Sequence, residues 1–184
     1  MTSIAKALSL WEEENDTAAE EGREIGLQFQ WPPIQQMDDN LSKLVSCEML
    51  SLSTNCIEKV AGLQGMKNLR ILSLGRNNIS SLAGLEVVAE TLEELWMSYN
   101  SLQQLTGLEL LVKLRVFHVA NNLIRNWSEV DKIANHKNLE ELVFAGNPLV
   151  EDIEEEEEYF EMMKKRLPNI KKLDGEPIVR LEEI

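Results

Sequence analysis

Apolar residues along this chain keep neither the helical interval nor a plain strand alternation. In "LRILSLGRNNI", Leu69, Ile71, Leu72, Leu74 and Ile79 surround a single asparagine, Asn77. The same spacing recurs in "CEMLSLSTNCI" from Cys47, "LEELWMSYNSL" from Leu92, "LRVFHVANNLI" from Leu114 and "LEELVFAGNPL" from Leu139. Aligned, the five windows share L-x-x-L-x-L-x-x-N-x-I. Their asparagines, Asn55, Asn77, Asn100, Asn122 and Asn147, stand 22, 23, 22 and 25 residues apart. A period of this length marks units that stack because none can bury its apolar face alone. The chain is read as a leucine-rich-repeat solenoid.

Each column of the pattern has a physical reason. Alternation over a short strand points Leu50 and Leu52, Leu72 and Leu74, Leu95 and Met97, Phe117 and Val119, and Leu142 and Phe144 inward. The chain then turns sharply, and backbone groups left inside need partners. Asparagine offers an acceptor and a donor on a short stem, so a buried ladder of asparagines can supply them. Behind the strands, Ile57, Val60 and Leu63 begin a series continued by Ile79, Leu82 and Leu85, then Leu102, Leu105 and Leu108, then Ile124, Trp127 and Val130. Units this short predict brief helical or 3₁₀ turns on the convex side. The longer interval before Asn147 predicts a fuller helix, with Ser128 as its N-cap.

The expected fold class is α/β, with a parallel β-sheet on the concave face, short helices behind it and helical caps at both ends. Residues 1–46 read as an N-terminal cap containing a helix and an edge strand, 47–150 as five repeats, and 151–184 as an acidic run, a capping helix and a tail, all in one structural domain. Trp11, Trp31 and Trp127 sit in apolar patterns that predict packing in the core or caps.

Composition narrows the chemistry. A formal net charge of −14 opposes binding to nucleic acid and favours basic partners. No apolar run is long enough for a membrane span, and the opening residues lack the pattern of a signal peptide. The expected compartment is therefore the cytoplasm, with Cys47 and Cys56 as free thiols. Only two histidines occur, and no spacing suggests metal ligation, nucleophilic catalysis or a phosphate-binding loop. The reading is a noncatalytic protein with no cofactor, metal or small-molecule substrate. The acidic run lacks the spacing and glycine of a calcium loop and reads as a solvated face leading into the capping helix.

The informative surface is the concave one. Strand side chains facing away from the core are Met49 and Ser51, Ile71 and Ser73, Glu94 and Trp96, Val116 and His118, and Glu141 and Val143. Arg76, Tyr99 and Asn121 stand at the rim. A tryptophan among Met49, Ile71, Val116 and Val143 is characteristic of an interface.

Particular stretches sharpen this. "SLGRNNI" followed by "TLEELWMSYN", with "NNLIRNW", "GNPL", "RLPNIKKLDGEPI" and the lead-in "WPPIQQMD", resembles the leucine-rich-repeat light-chain family of axonemal outer-arm dynein over residues 31–179. The resemblance implies a noncatalytic subunit of the ciliary or flagellar motor in the axonemal cytoskeleton. Its partner would be an outer-arm heavy chain, held at the microtubule-binding head of the stalk, with the motor's grip on the microtubule tuned in consequence. Met49, Ile71, Arg76, Trp96, Tyr99, Arg115, Val116, His118 and Val143 are the candidate heavy-chain contacts. A tubulin interaction proposed for the family would fall to the basic cluster Lys164, Lys165, Arg166, Lys171 and Lys172. Two rival readings share the asparagine ladder: a regulator of protein phosphatase 1 and a spliceosomal adaptor.

Overall fold

The computed structural model describes residues 1–153 and 155–179; position 154 of the acidic run and the tail from 180 to 184 lie outside them. Strand alternation lasts only until the next turn, so each repeat contributes a three-residue strand. In chain order these are β1 (Glu24–Gly26), β2 (Met49–Ser51), β3 (Ile71–Ser73), β4 (Glu94–Trp96), β5 (Val116–His118) and β6 (Glu141–Val143). Together with β7 (Lys172–Leu173) they pair in parallel, each with the next. A last strand, β8 (Glu176–Pro177), folds back antiparallel on β7. The inward pair of every repeat, from Leu50 and Leu52 to Leu142 and Phe144, is fully buried.

The five asparagines hold the turns together by one recurring arrangement. The Asn100 amide donates to Leu74 O at 2.9 Å and to Met97 O at 3.0 Å, and its oxygen accepts the Ile79 N–H at 2.9 Å. Asn55, Asn77, Asn122 and Asn147 each repeat this, tying their own strand end to the turn before. The residue preceding each asparagine is left-handed: Thr54, Arg76, Tyr99, Asn121 and Gly146 have φ between 53° and 70°. That conformation aims the next side chain inward.

On the convex side, 3₁₀ turns at Glu86–Val88 and Leu108–Leu110 serve the shorter units, and a true helix, α2 (Trp127–Ala134), fills the long one. Its N-cap is Asn126, not Ser128. The chain is still extended at Asn126 (φ −116°, ψ 134°) and turns helical at Trp127, which leaves Ser128 inside the first turn and exposed. Two buried polar side chains bind the turn before: Glu129 accepts the Leu105 N–H at 2.7 Å, and His136 Nε2 lies 2.6 Å from Leu108 O.

Both ends of the solenoid are covered. At the front, α1 (Ile4–Asn15) begins at Ser3, whose hydroxyl accepts the Lys6 N–H, and it buries Ile4, Ala7 and Leu8 with Trp11 packed at the margin. The β1 turn carries repeat geometry without the repeat motif. Ile25 and Leu27 fill the inward columns, Phe29 is left-handed at φ 60°, and Gln30 stands where the next turn has Asn55. Two more residues separate Gln30 from Ile34 than separate Asn55 from Ile57. Trp31 lies in that insertion and is thrown out of register, so it is 91% exposed rather than packed. Trp127 does pack against the core, under the Arg166 guanidinium at 4.6 Å.

At the back, a short helix, α3 (Pro148–Glu151), precedes the capping helix α4 (Glu156–Arg166), which buries Tyr159 and Met163. Its first turn is acidic and its last turn basic, as the helix dipole favours. The sheet's hydrogen bonding is closed by Asp174: its carboxylate accepts from Phe144 N–H at 2.6 Å, Ala145 N–H at 2.9 Å and the Tyr159 hydroxyl at 2.6 Å.

Candidate protein-interaction surface

Strand register arranges the concave face into rows. The first runs Glu24, Met49, Ile71, Glu94, Val116, Glu141 and Lys172, and the second Gly26, Ser51, Ser73, Trp96, His118 and Val143. Met49 and Ile71 are therefore neighbours, whereas Val116 stands between two glutamates. In the second row the side chains stay small as far as Ser73, and Trp96 rises beside them. Ring centroids of Trp96 and His118 lie 5.9 Å apart with planes at 14°, an offset stack. His118 Nε2 is 3.1 Å from Glu141 Oε1, and the other Glu141 oxygen is 3.3 Å from Lys172 Nζ. A continuous run thus crosses four strands: indole, imidazole, carboxylate, ammonium.

Trp96 is half-buried, but its indole Nε1 is wholly enclosed and has no hydrogen-bond partner among the described residues. At the rim, the Arg76 guanidinium lies 4.2 Å over the Tyr99 ring. Arg115 falls outside this group. It sits one residue before β5, at the edge where the chain enters the sheet, and binds Glu140 at 3.0 Å.

That edge is one the repeat pattern made easy to overlook. Residues immediately preceding successive strands alternate in charge: Arg23 with Glu48 (3.4 Å), Arg70 with Glu93 (2.9 Å), and Arg115 with Glu140, which also binds Lys171 (2.8 Å). The partners are more than twenty residues apart in sequence, and only stacking brings them together. These pairs hold Glu93 and Glu140 below the usual carboxylate range, chiefly through the Arg70 bond in the first case and the Lys171 bond in the second.

The basic cluster expected at the C-terminal end divides in two. Lys164, Lys165 and Arg166 end α4 on the helical side, where Lys164 binds Glu161 at 2.9 Å and Arg166 binds Asp131 at 2.8 Å. Lys171 and Lys172 join the sheet and bind Glu140 and Glu141. Lys165 alone of the five makes no ion pair among the described residues. Four of these cations already have carboxylates.

No metal-holding group of histidine, cysteine and carboxylate side chains occurs among the described residues, and no helix there is long and apolar enough to cross a membrane. Burial pushes the Cys47 thiol up to about 12, and a thiol that resists ionisation is a poor nucleophile. His118 is bonded to Glu141 and stacked on Trp96, with no serine or cysteine in hydrogen-bond contact among the described residues.

A family model described as Leucine Rich repeats (2 copies) matches residues 45–87. The chain is 52% identical to dynein axonemal light chain 1 of Homo sapiens over 182 residues, 99% of this chain and 96% of that one. It is 53% identical to the protein of that name from Rattus norvegicus, with the same coverage, and 51% identical to that from Chlamydomonas reinhardtii over 96% of this chain and 91% of that one. Among solved structures, an internalin of Listeria monocytogenes superposes with TM-score 0.62 at 19% identity, covering 79% of this chain and 39% of that one. The Drosophila melanogaster SNF/U2A′ complex superposes with TM-score 0.53 at 21% identity, covering 85% and 75%. Both likenesses are of fold alone.

Proposed function

This chain belongs to the leucine-rich-repeat family of dynein axonemal light chain 1, and we propose that it is a noncatalytic dynein light chain of the ciliary or flagellar axoneme that seats a heavy-chain stalk head on its concave face. The observation that carries this reading is Trp96. A half-buried indole, stacked on His118, with Val143 beyond it in the same row and Met49 and Ile71 in the neighbouring one, has the make-up of an interface anchor. Its enclosed N–H, without a partner among the described residues, costs free energy in the free protein, and a partner whose docking turned the indole outward would give it an acceptor.

Such a subunit alters microtubule affinity only by contacting one stalk-head conformation better than another. A differential of about 1.4 kcal/mol shifts that equilibrium roughly tenfold, so modest contacts suffice. The tubulin reading of the C-terminal cations has weaker support, since Lys164, Arg166, Lys171 and Lys172 all hold carboxylates.

Titrating the protein into an isolated outer-arm heavy-chain stalk head, beside Trp96→Arg, tests the proposal. Binding by the wild type, lost in a variant with an unchanged circular-dichroism spectrum and melting curve, is the expected result. Equal binding by both would remove the heavy chain from the concave face.

A further inference from the structure

At the front of the concave face, strand register sets two apolar side chains between two carboxylates. Glu24, Met49, Ile71 and Glu94 stand in one row on consecutive strands, β1 to β4. Met49 and Ile71 are both half-buried and floor a groove of about 290 Å³, with Glu24 and Glu94 on its walls. Along the edge where the chain enters the sheet, the same groove is lined by Arg23, Glu48, Arg70 and Glu93. Four carboxylates meet two cations there, and both cations are committed. Arg23 pairs with Glu48 at 3.4 Å and Arg70 with Glu93 at 2.9 Å. Arg70 and Arg115 lie within electrostatic reach of Glu94, but each is bonded to another glutamate. Glu24 and Glu94 make no ion pair among the described residues. The groove therefore presents a carboxylate, two apolar side chains and a second carboxylate.

We propose that this groove binds a polypeptide segment with a basic, an apolar and a second basic residue at alternate positions. The inference rests on reading the concave face as an interface, and it names the chemistry of the segment seated at the front of that face. Spacing selects the pattern. Glu24 and Glu94 are three strand steps apart, about 14 Å at roughly 4.8 Å per step. An extended chain rises about 3.4 Å per residue, so residues i and i+4 on one side of it also stand about 14 Å apart. Residue i+2 then falls between them, over Met49 and Ile71. Lysine and arginine suit the two ends, because their methylene stems lie along an apolar floor while the charged heads reach the carboxylates. A polyanion or an acidic lipid surface would meet two carboxylates with no uncommitted cation to offset them. The net charge of −14 attracts any basic segment, so the signature of the groove is a preference for spacing rather than for charge.

The test is a heteronuclear NMR titration of the full chain with a capped peptide, arginine-glycine-leucine-glycine-arginine, and with its scramble, arginine-arginine-glycine-glycine-leucine, which has the same charge and composition. A preference of about fivefold or more for the patterned peptide, with shifts centred on β1 to β4, supports the assignment. Glu24→Gln/Glu94→Gln should weaken the patterned peptide about tenfold and erase the preference. Met49→Ser/Ile71→Ser should erase the preference and keep the residual attraction. Glu156→Gln/Glu157→Gln on α4 removes the same charge and should change the affinity by roughly twofold or less. Equal affinity for the two peptides overturns the assignment, as do shifts spread evenly over the acidic surface or a preference that survives Glu24→Gln/Glu94→Gln. Stalk-head binding by the same proteins separates the two readings. A chain that prefers the patterned peptide but ignores the stalk head supports the groove and removes the heavy chain; a chain that binds the stalk head but is blind to the pattern overturns the groove alone.

Discussion

Trp96 and Asn100 are four residues apart on one turn of the solenoid, and their buried polar atoms have opposite fates. Asn100 makes two donations and one acceptance, all between 2.9 and 3.0 Å. The indole N–H of Trp96 is equally enclosed and makes none among the described residues. Leaving a buried donor unmatched costs about 1–3 kcal/mol. The asparagine lies between turns, where only the chain itself can supply partners, so every capacity is filled from within. The tryptophan belongs to the open strand face, where a partner that turns the ring outward can complete what the chain leaves undone. Residues that build the solenoid are satisfied; the residue proposed to bind is not.

The harshest way to break this contrast is Asn100→Ala. It strands the Ile79 N–H inside the solenoid and takes one of the two ladder amides from Leu74 O and from Met97 O, which keep those of Asn77 and Asn122. A loss of about 3 kcal/mol or more is expected, lowering the melting temperature by roughly 6–12 °C. Stalk-head binding, measured well below the transition, should persist. An unchanged melting curve would mean that the ladder adds no net stability.

Asp174→Ala applies the same logic at the end of the sheet. It unpairs the Phe144 and Ala145 N–H groups and the Tyr159 hydroxyl. The position is half-buried, and water can replace some of what is lost, so about 2 kcal/mol is expected. Hydrogen exchange distinguishes the two ladder breaks. Amides of β6 should exchange faster in this variant while those of β2 to β4 do not, because in a solenoid each unit contacts only its neighbours. Uniform acceleration along the sheet would contradict local capping.

How far the sequence revealed this follows from which constraints repeat. The leucine columns and the asparagine ladder recur five times, so inward residues, ladder and parallel sheet were all legible. Trp96 was visible by strand alternation alone. The β1 turn was harder to see, because Gln30 replaces the ladder asparagine and an insertion displaces Trp31 into solvent. Nor could spacing within one repeat reveal the edge pairs, which join residues such as Arg70 and Glu93 on successive turns. One signal was available: Lys67 and Lys137 both stand four residues before their strands, and Lys113 stands three before its own. Reading columns outside the leucines would have exposed that charged edge.

A milder perturbation is alkali. Burial, reinforced by the hydrogen bond to Asp174, raises the Tyr159 hydroxyl far above its ordinary range, and burial raises Cys47 to about 12. Groups whose pKa is higher folded than unfolded contribute fully below their unfolded values, and that contribution is lost as pH rises. Urea midpoints should therefore hold steady near neutrality and fall from roughly pH 9 upward, the ordinary range of thiols and phenols. Cys47→Ala should flatten the early part of the fall and Tyr159→Phe the later part, each referred to its own midpoint at pH 7. Parallel curves for wild type and variants would show that these groups do not govern the alkaline limb.

The smallest expected change sharpens the comparison most. Trp96→Phe keeps an aromatic face against His118 and deletes only the unmatched N–H and part of the ring. Relief of the buried donor is worth about 1–3 kcal/mol. Lost packing from the smaller ring costs a similar amount, of order 1–2 kcal/mol. The two nearly cancel, so the melting temperature should move by no more than roughly 4 °C, the equivalent of about 1 kcal/mol. Binding to the stalk head should nevertheless weaken several-fold, because docking that turns the indole outward engages a donor that the free protein keeps enclosed and unused; one such hydrogen bond is worth about 0.5–1.5 kcal/mol. If Trp96→Phe instead melts as early as Asn100→Ala with affinity intact, the indole is a structural side chain like the asparagines, and the distinction between satisfied and unsatisfied residues on this turn carries no functional meaning.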